Sequence, residues 1–241
     1  MKSFFEKKEV LFAVMFIVIY VVGASMAENI TENVLLTKTA VCAAGAVISA
    51  VLVIFSSKNG LNEYWGLCGF RGNAADMLYF IPLIVICSVN LWFGVTMSMS
   101  IAESAAYVLS MFFVGFLEEL LFRGLLFRAM CRSNVKTAFI VSSLTFGVGH
   151  IVNLLNGRAV FETINQIVYA TAIGFVFTAI AYYGKSLIPT IIAHITINSL
   201  STFACEPSDT AFVISTAVIS VLCIAYGIFI VRRCGKKERT A

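Results

Sequence analysis

The sequence predicts an all-α, polytopic membrane protein of about eight transmembrane helices, on three observations. Of its 241 residues 60% are apolar and 12% charged, with a mean hydropathy of +0.94, whereas soluble domains carry roughly a quarter charged residues. Eight apolar stretches approach the roughly 20 residues that cross a bilayer: 10–27, 36–56, 77–97, 103–127, 137–152, 163–183, 186–204 and 210–231. With the first end placed inside, the outer connections hold 2 cations, Lys38 and Arg158, and the inner segments hold the other 15 of the 17 Lys and Arg. Cations gather on the cytoplasmic side of membrane proteins, so both termini are predicted cytoplasmic. The net charge of +4 is therefore a matter of topology, and no nucleic-acid partner is implied.

Apart from Lys38 at the outer edge of the second, the first two spans hold no charged residue inside their apolar runs and read as lipid-facing packing elements. Lys2, Lys7 and Lys8, the run from Val10 and the small residues Ser25-Met26-Ala27 also fit a cleaved secretory signal, which would leave seven helices. The connection from Ser56 to Asp76 is glycine-rich and places Tyr64, Trp65, Phe70 and Arg71 for the interfacial belt, as an ordinary loop or as a lid. Pro82 in the third span is tolerable within a bundle as a kink. The fifth span is the shortest, and Gly147 and Gly149 just before His150 permit a distorted or broken helix. The sixth has Ala170, Gly174 and Ala179 as small contact residues, and Pro189 suits an early position of the seventh. With no internal repeat or linker, residues 1–241 read as a single membrane domain.

The fourth span carries Glu118, Glu119 and Arg123. A charge at mid-bilayer costs at least about 2.5 kcal/mol, so such residues call for a protected polar site. Glu119 and Arg123 stand four apart on one helix face and can neutralise each other, whereas Glu118 is rotated by about 100° and left for another partner. The two histidines of the chain, His150 and His194, both fall in spans, the first four after Phe146 and the second four before Asn198. At about 1.5 Å per residue from the basic turns, Glu118, His150 and His194 lie about 13 to 20 Å deep, one buried level reachable from the cytoplasm. Amide hydrolysis needs a base for water and donors for the oxyanion. Glu118 suits the base, His150 can hold the same water or pass a proton to the leaving amine, and His194 with Asn198 can hold the oxyanion.

Glu118-Glu119-x-x-x-Arg123, Phe146-x-x-x-His150 and His194-x-x-x-Asn198, in that order on successive apolar spans, resemble the three motifs of the CPBP family. This family includes the CAAX prenyl endopeptidases and the bacteriocin-processing or immunity (Abi) proteins. The resemblance covers 111–198, a catalytic core, and implies an eight-helix intramembrane endopeptidase with a cavity open to the cytoplasm. It implies Glu118 and His150 as the water-activating residues, His194 and Asn198 as the oxyanion site, and Glu119, Arg123 and Phe146 as supporting residues.

The implied partners are the lipid bilayer, a membrane-associated peptide or protein substrate, and a bacteriocin or signalling-peptide system. The implied location is the plasma membrane of a bacterium. No cofactor is expected. The alternative is zinc held by Glu118, His150 and His194 with water in the fourth position, against which stand the lack of an H-E-x-x-H and the carboxamide at Asn198. Non-catalytic immunity or scaffolding on the same fold is a second alternative. Ion transport is a third, opposed by the missing repeat. The seven cysteines form no C-x-x-C pair and read as small apolar residues or free thiols.

Overall fold

The structure, a computed structural model, describes residues 1–240 and side chains through Lys237. The side chain of Arg239, one of the cations counted as inner, and Ala241 lie outside the described residues. A short helix α1 (Lys2–Lys7) leads into α2 (Glu9–Glu28) and α3 (Val34–Lys58). A broken segment follows: a 3₁₀ stretch Ala74–Phe80, α4 (Ile81–Cys87) and a 3₁₀ turn Val89–Leu91. Then come α5 (Ile101–Glu119), a π-helical stretch Leu120–Phe127, α6 (Arg128–Cys131), α7 (Val135–Gly149) and a 3₁₀ turn His150–Leu154. The chain ends with α8 (Val160–Gly184), α9 (Ile188–Ser201) and α10 (Asp209–Thr240).

Seven of these segments are long and apolar enough to cross a membrane, so the protein is a multi-pass helical membrane protein. The eighth apolar helix, α9, has 14 residues, about 21 Å at 1.5 Å per residue, which is short of a roughly 30 Å hydrocarbon core. The ends follow local rules. Ser100 and Glu103 close a capping box on α5, Asn33 and Asn134 cap α3 and α7, and Pro189 sits in the first turn of α9. The third span departs from expectation: Pro82 stands in the first turn of α4, after a left-handed Phe80 with φ of 61°, so it starts a helix instead of kinking one. A proline lacks the N–H that a helix interior requires and is cheapest where that donor is unused. The expected break near His150 is present, with α7 ending at Gly149.

The first span, α2, faces lipid along one side, where Val14, Val18 and Val22 are exposed, and packs into the bundle along the other. Phe12, Phe16 and Tyr20, four apart on one face of α2, are buried in the same apolar core as Leu117, Leu121 and Phe122. Trp65, expected in the interfacial belt, is fully buried between Phe5, Phe12 and Phe55, with ring centroids 5.8, 6.5 and 5.9 Å away. Backbone hydrogen bonds fasten its connection to the bundle, Leu187 N–H to Gly66 O at 2.8 Å and Arg71 N–H to Gly184 O at 3.0 Å. Tyr64 donates to Glu9 at 2.7 Å, and burial beside that carboxylate pushes its phenol above the ordinary range. The end of the bundle that carries the basic connections is thereby sealed with aromatic side chains.

Gly115 sets the distance between α5 and α9. A Cβ there would stand 2.9 Å from the backbone nitrogen of Ile195, closer than nonbonded carbon and nitrogen approach, and small residues are what allow such contact in a membrane bundle. Gly115→Ala is expected to push α9 off α5 and lower stability by about 1 to 3 kcal/mol, the usual cost of overpacking, read as a lower thermal midpoint of the detergent-purified protein; an unchanged midpoint would refute the close approach.

Candidate active site

The last turn of α5 delivers Glu118 and Glu119 side by side, and the helix widens at once into the π-helical stretch Leu120–Phe127. Helices of this kind are rare and recur at functional sites. Arg123, inside the widened turns, donates Nη1–H to Glu119 Oε1 at 2.9 Å, and both side chains are wholly buried. The same oxygen is met by His194 Nδ1 of α9, also at 2.9 Å. A carboxylate oxygen only accepts, so Nδ1 carries the hydrogen. Arg123, Glu119 and His194 thus form one buried chain, and the Arg123 guanidinium also lies over the Phe146 ring, 4.1 Å from its centroid. Gly174 of α8 makes room for it, since a Cβ there would stand 3.2 Å from Arg123 Nη2.

Glu118 faces the other way. Its Oε1 accepts the Tyr20 hydroxyl at 2.7 Å, and its Oε2, which makes no hydrogen bond within the protein, lies 3.6 Å from His194 Nε2. That separation exceeds a direct hydrogen bond. With Nδ1–H given to Glu119, Nε2 accepts in the neutral ring and donates in the cationic one. His150 is fixed differently: its Nδ1 is 3.0 Å from the Phe146 carbonyl, an acceptor, so Nδ1–H donates and, in the neutral ring, Nε2 keeps its lone pair. The Phe146 ring stands between the two imidazoles, edge-on to both at 5.3 and 5.6 Å.

Glu118, His150, Asn198, Tyr20 and Phe146 line a single cavity of about 500 Å³. Its lining continues past Asn153 and Gln166 to Glu28, Lys38, Arg158 and Glu162, the end opposite the basic connections. Access from the basic side was expected because depth was counted from the basic turns along straight helices. Trp65, Leu187, Leu120 and Leu125 fill that side with apolar bulk, leaving the polar path to run the other way.

The sequence-predicted residues therefore fall into two groups. Glu118, Phe146, His150 and Asn198 share the cavity, while Glu119 and Arg123 stand behind it; His194 bridges the groups through its two ring nitrogens. Among the described residues no three His, Cys, Asp or Glu side chains gather as a metal-binding group, so Glu118, His150 and His194 do not present a preformed zinc site. Tyr20 went unforeseen: it belongs to no motif, and its helical spacing from Phe12 and Phe16 was the one signal in the sequence.

The fold and this site define a class, a multi-pass membrane protein with a carboxylate and imidazole site buried between helices. Residues 100–200 match the family model described as type II CAAX prenyl endopeptidase Rce1-like, a match consistent with the CPBP resemblance. No curated protein matches the chain. The family match supports, at the coarse level, an intramembrane peptidase.

Removing one member of a buried ion pair leaves the other uncompensated, at a cost of about 3 to 5 kcal/mol. Arg123→Met is accordingly expected to abolish the folded yield in detergent, and Glu119→Gln combined with Arg123→Met to recover part of it, measured by monodisperse yield and thermal midpoint. A double variant no better than the single one would contradict the pairing.

Proposed function

We propose that the protein is an endopeptidase that hydrolyses a peptide bond of a membrane-associated protein or peptide, in the plasma membrane of a bacterium. The observation that carries this reading is the convergence of Glu118, His150 and Asn198, from three segments, on one cavity, with His194 Nε2 3.6 Å from Glu118 Oε2. Glu118 takes a proton from water through Oε2, the oxygen not engaged by Tyr20. The water oxygen attacks the substrate carbonyl carbon. The oxyanion that forms is held by Asn198 and by His194, whose Nε2 donates when both ring nitrogens carry hydrogen. As the C–N bond breaks, the proton passes to the leaving amine, directly from Glu118 or through His150 Nε2, whose lone pair is left available by the Nδ1–H bond to Phe146. Glu119 and Arg123 orient His194. No step requires a metal or organic cofactor. The cellular substrate would be a lipid-anchored or membrane-inserted peptide, with a bacteriocin or signalling-peptide system the proposed setting.

The test is cleavage of an internally quenched, isoprenylated CAAX peptide by the full chain in proteoliposomes, with membrane proteomics of cells carrying Glu118→Ala to find a peptide that accumulates uncut. Glu118→Ala is expected to lower kcat by about 10² to 10⁴, the share general acid–base groups supply, and Asn198→Ala by about 10² to 10³. Activity should survive chelation in a preparation shown metal-free by elemental analysis; loss restored only by zinc would shift the assignment to a zinc enzyme. A Glu118→Ala strain that behaves as wild type where a deletion strain does not would make the protein a scaffold or immunity factor.

A further inference from the structure

We infer that Tyr20 is a positioning residue for this site: from a helix outside residues 100–200, its hydroxyl holds Glu118 so that Oε1 is occupied and Oε2 is turned to His194. The inference rests on the proposed peptidase reading for its consequence in catalysis, and on geometry alone for the contact. Phe12, Phe16 and Tyr20 run down one face of α2, and Tyr20, the last of the three, is 8% exposed. Its ring is locked by packing against the core that holds Leu117, Leu121 and Phe122. A buried phenol needs a partner for its O–H, and 98 residues away in sequence Glu118 Oε1 is that partner at 2.7 Å.

The consequence for Glu118 is a restricted rotamer. A glutamate has three side-chain torsions, and the terminal one is broad. One short hydrogen bond from a rigid ring removes that freedom and distinguishes two otherwise equivalent oxygens. Oε2 is then the one oxygen able to meet a water beside His194 Nε2, 3.6 Å away, a gap longer than a direct hydrogen bond. The hydroxyl also assigns a task to the first helix. Composition gives α2 nothing but lipid-compatible bulk, yet it carries the one side chain that hydrogen-bonds Glu118 among the described residues.

Tyr20→Phe tests this, because it removes one oxygen and keeps the ring that packs. Two readouts are used on the full chain in detergent or proteoliposomes. The first needs no turnover: dicyclohexylcarbodiimide enters apolar sites and converts a carboxyl to a stable N-acylurea, and labelling of Glu118 is followed by peptide mass spectrometry. Freed from the hydroxyl, Glu118 should label several-fold faster in Tyr20→Phe. Phe16→Leu, one turn earlier on the same stripe, should lower the thermal midpoint without changing that labelling rate. The second readout is hydrolysis of the isoprenylated CAAX peptide, where Tyr20→Phe should reduce kcat by about tenfold to a hundredfold, as misplacement of a reacting group does, with KM within about twofold of wild type. Unchanged labelling overturns the inference, as does a loss confined to KM. A wild-type chain that cleaves no peptide while Tyr20→Phe still accelerates labelling would sink the peptidase reading and leave the hold of Tyr20 on Glu118 standing.

Discussion

The structure depends on a charge cluster that has no water to fall back on. Glu119 and Arg123 are wholly buried within an apolar bundle, where neither ion is stable alone. Each therefore dictates its surroundings. Arg123 needs the carboxylate and an aromatic face, which Phe146 supplies; Glu119 needs a second donor, which is His194. These contacts tie three helices to one another, α5 with its widened extension, α7 and α9. The positions of the groups that face the cavity follow from those ties.

This arrangement separates two carboxylates that are neighbours in sequence. Glu119 spends Oε1 on Arg123 and His194 and faces inward, so it has no access to the cavity. Glu118, turned by one residue, borders the cavity with one oxygen restrained and the other buried without a hydrogen-bond partner. The imidazoles divide in a similar way. His194 is tied to Glu119, and His150 to a backbone carbonyl one helical turn away. Each tie decides which nitrogen holds the hydrogen, and so which nitrogen can serve the substrate. The fold thus uses hydrogen bonds behind the site to set the chemistry in front of it.

Much of the site was legible in the sequence. Charges and histidines are so rare in apolar spans that Glu118, Glu119, Arg123, His150 and His194 stood out, and spacing four apart placed Glu119 with Arg123 and His194 with Asn198. The helical composition and the break at His150 were legible for the same reason, since hydropathy and Gly-x-Gly are local signals. Tyr20, the burial of Trp65, the start of α4 at Pro82 and the direction in which the cavity extends were not. Tyr20 is one of 8 tyrosines in the chain, and nothing local marks the one whose hydroxyl meets a carboxylate 98 residues on. The bond from His194 to Glu119 was hidden as well, because the spacing of each motif describes its own helix and says nothing about which residues meet across helices.

By itself, the sequence determined that the chain crosses a membrane several times and which polar side chains it carries there, since burying apolar length and paying for buried charge are properties of each segment alone. Only the tertiary structure decided that Glu119 shares one oxygen between Arg123 and His194, that Glu118 answers to Tyr20, and that the cavity leads away from the basic connections. Those outcomes are set by contacts between segments far apart in the chain, where a shift of a single helix by an ångström changes every partner.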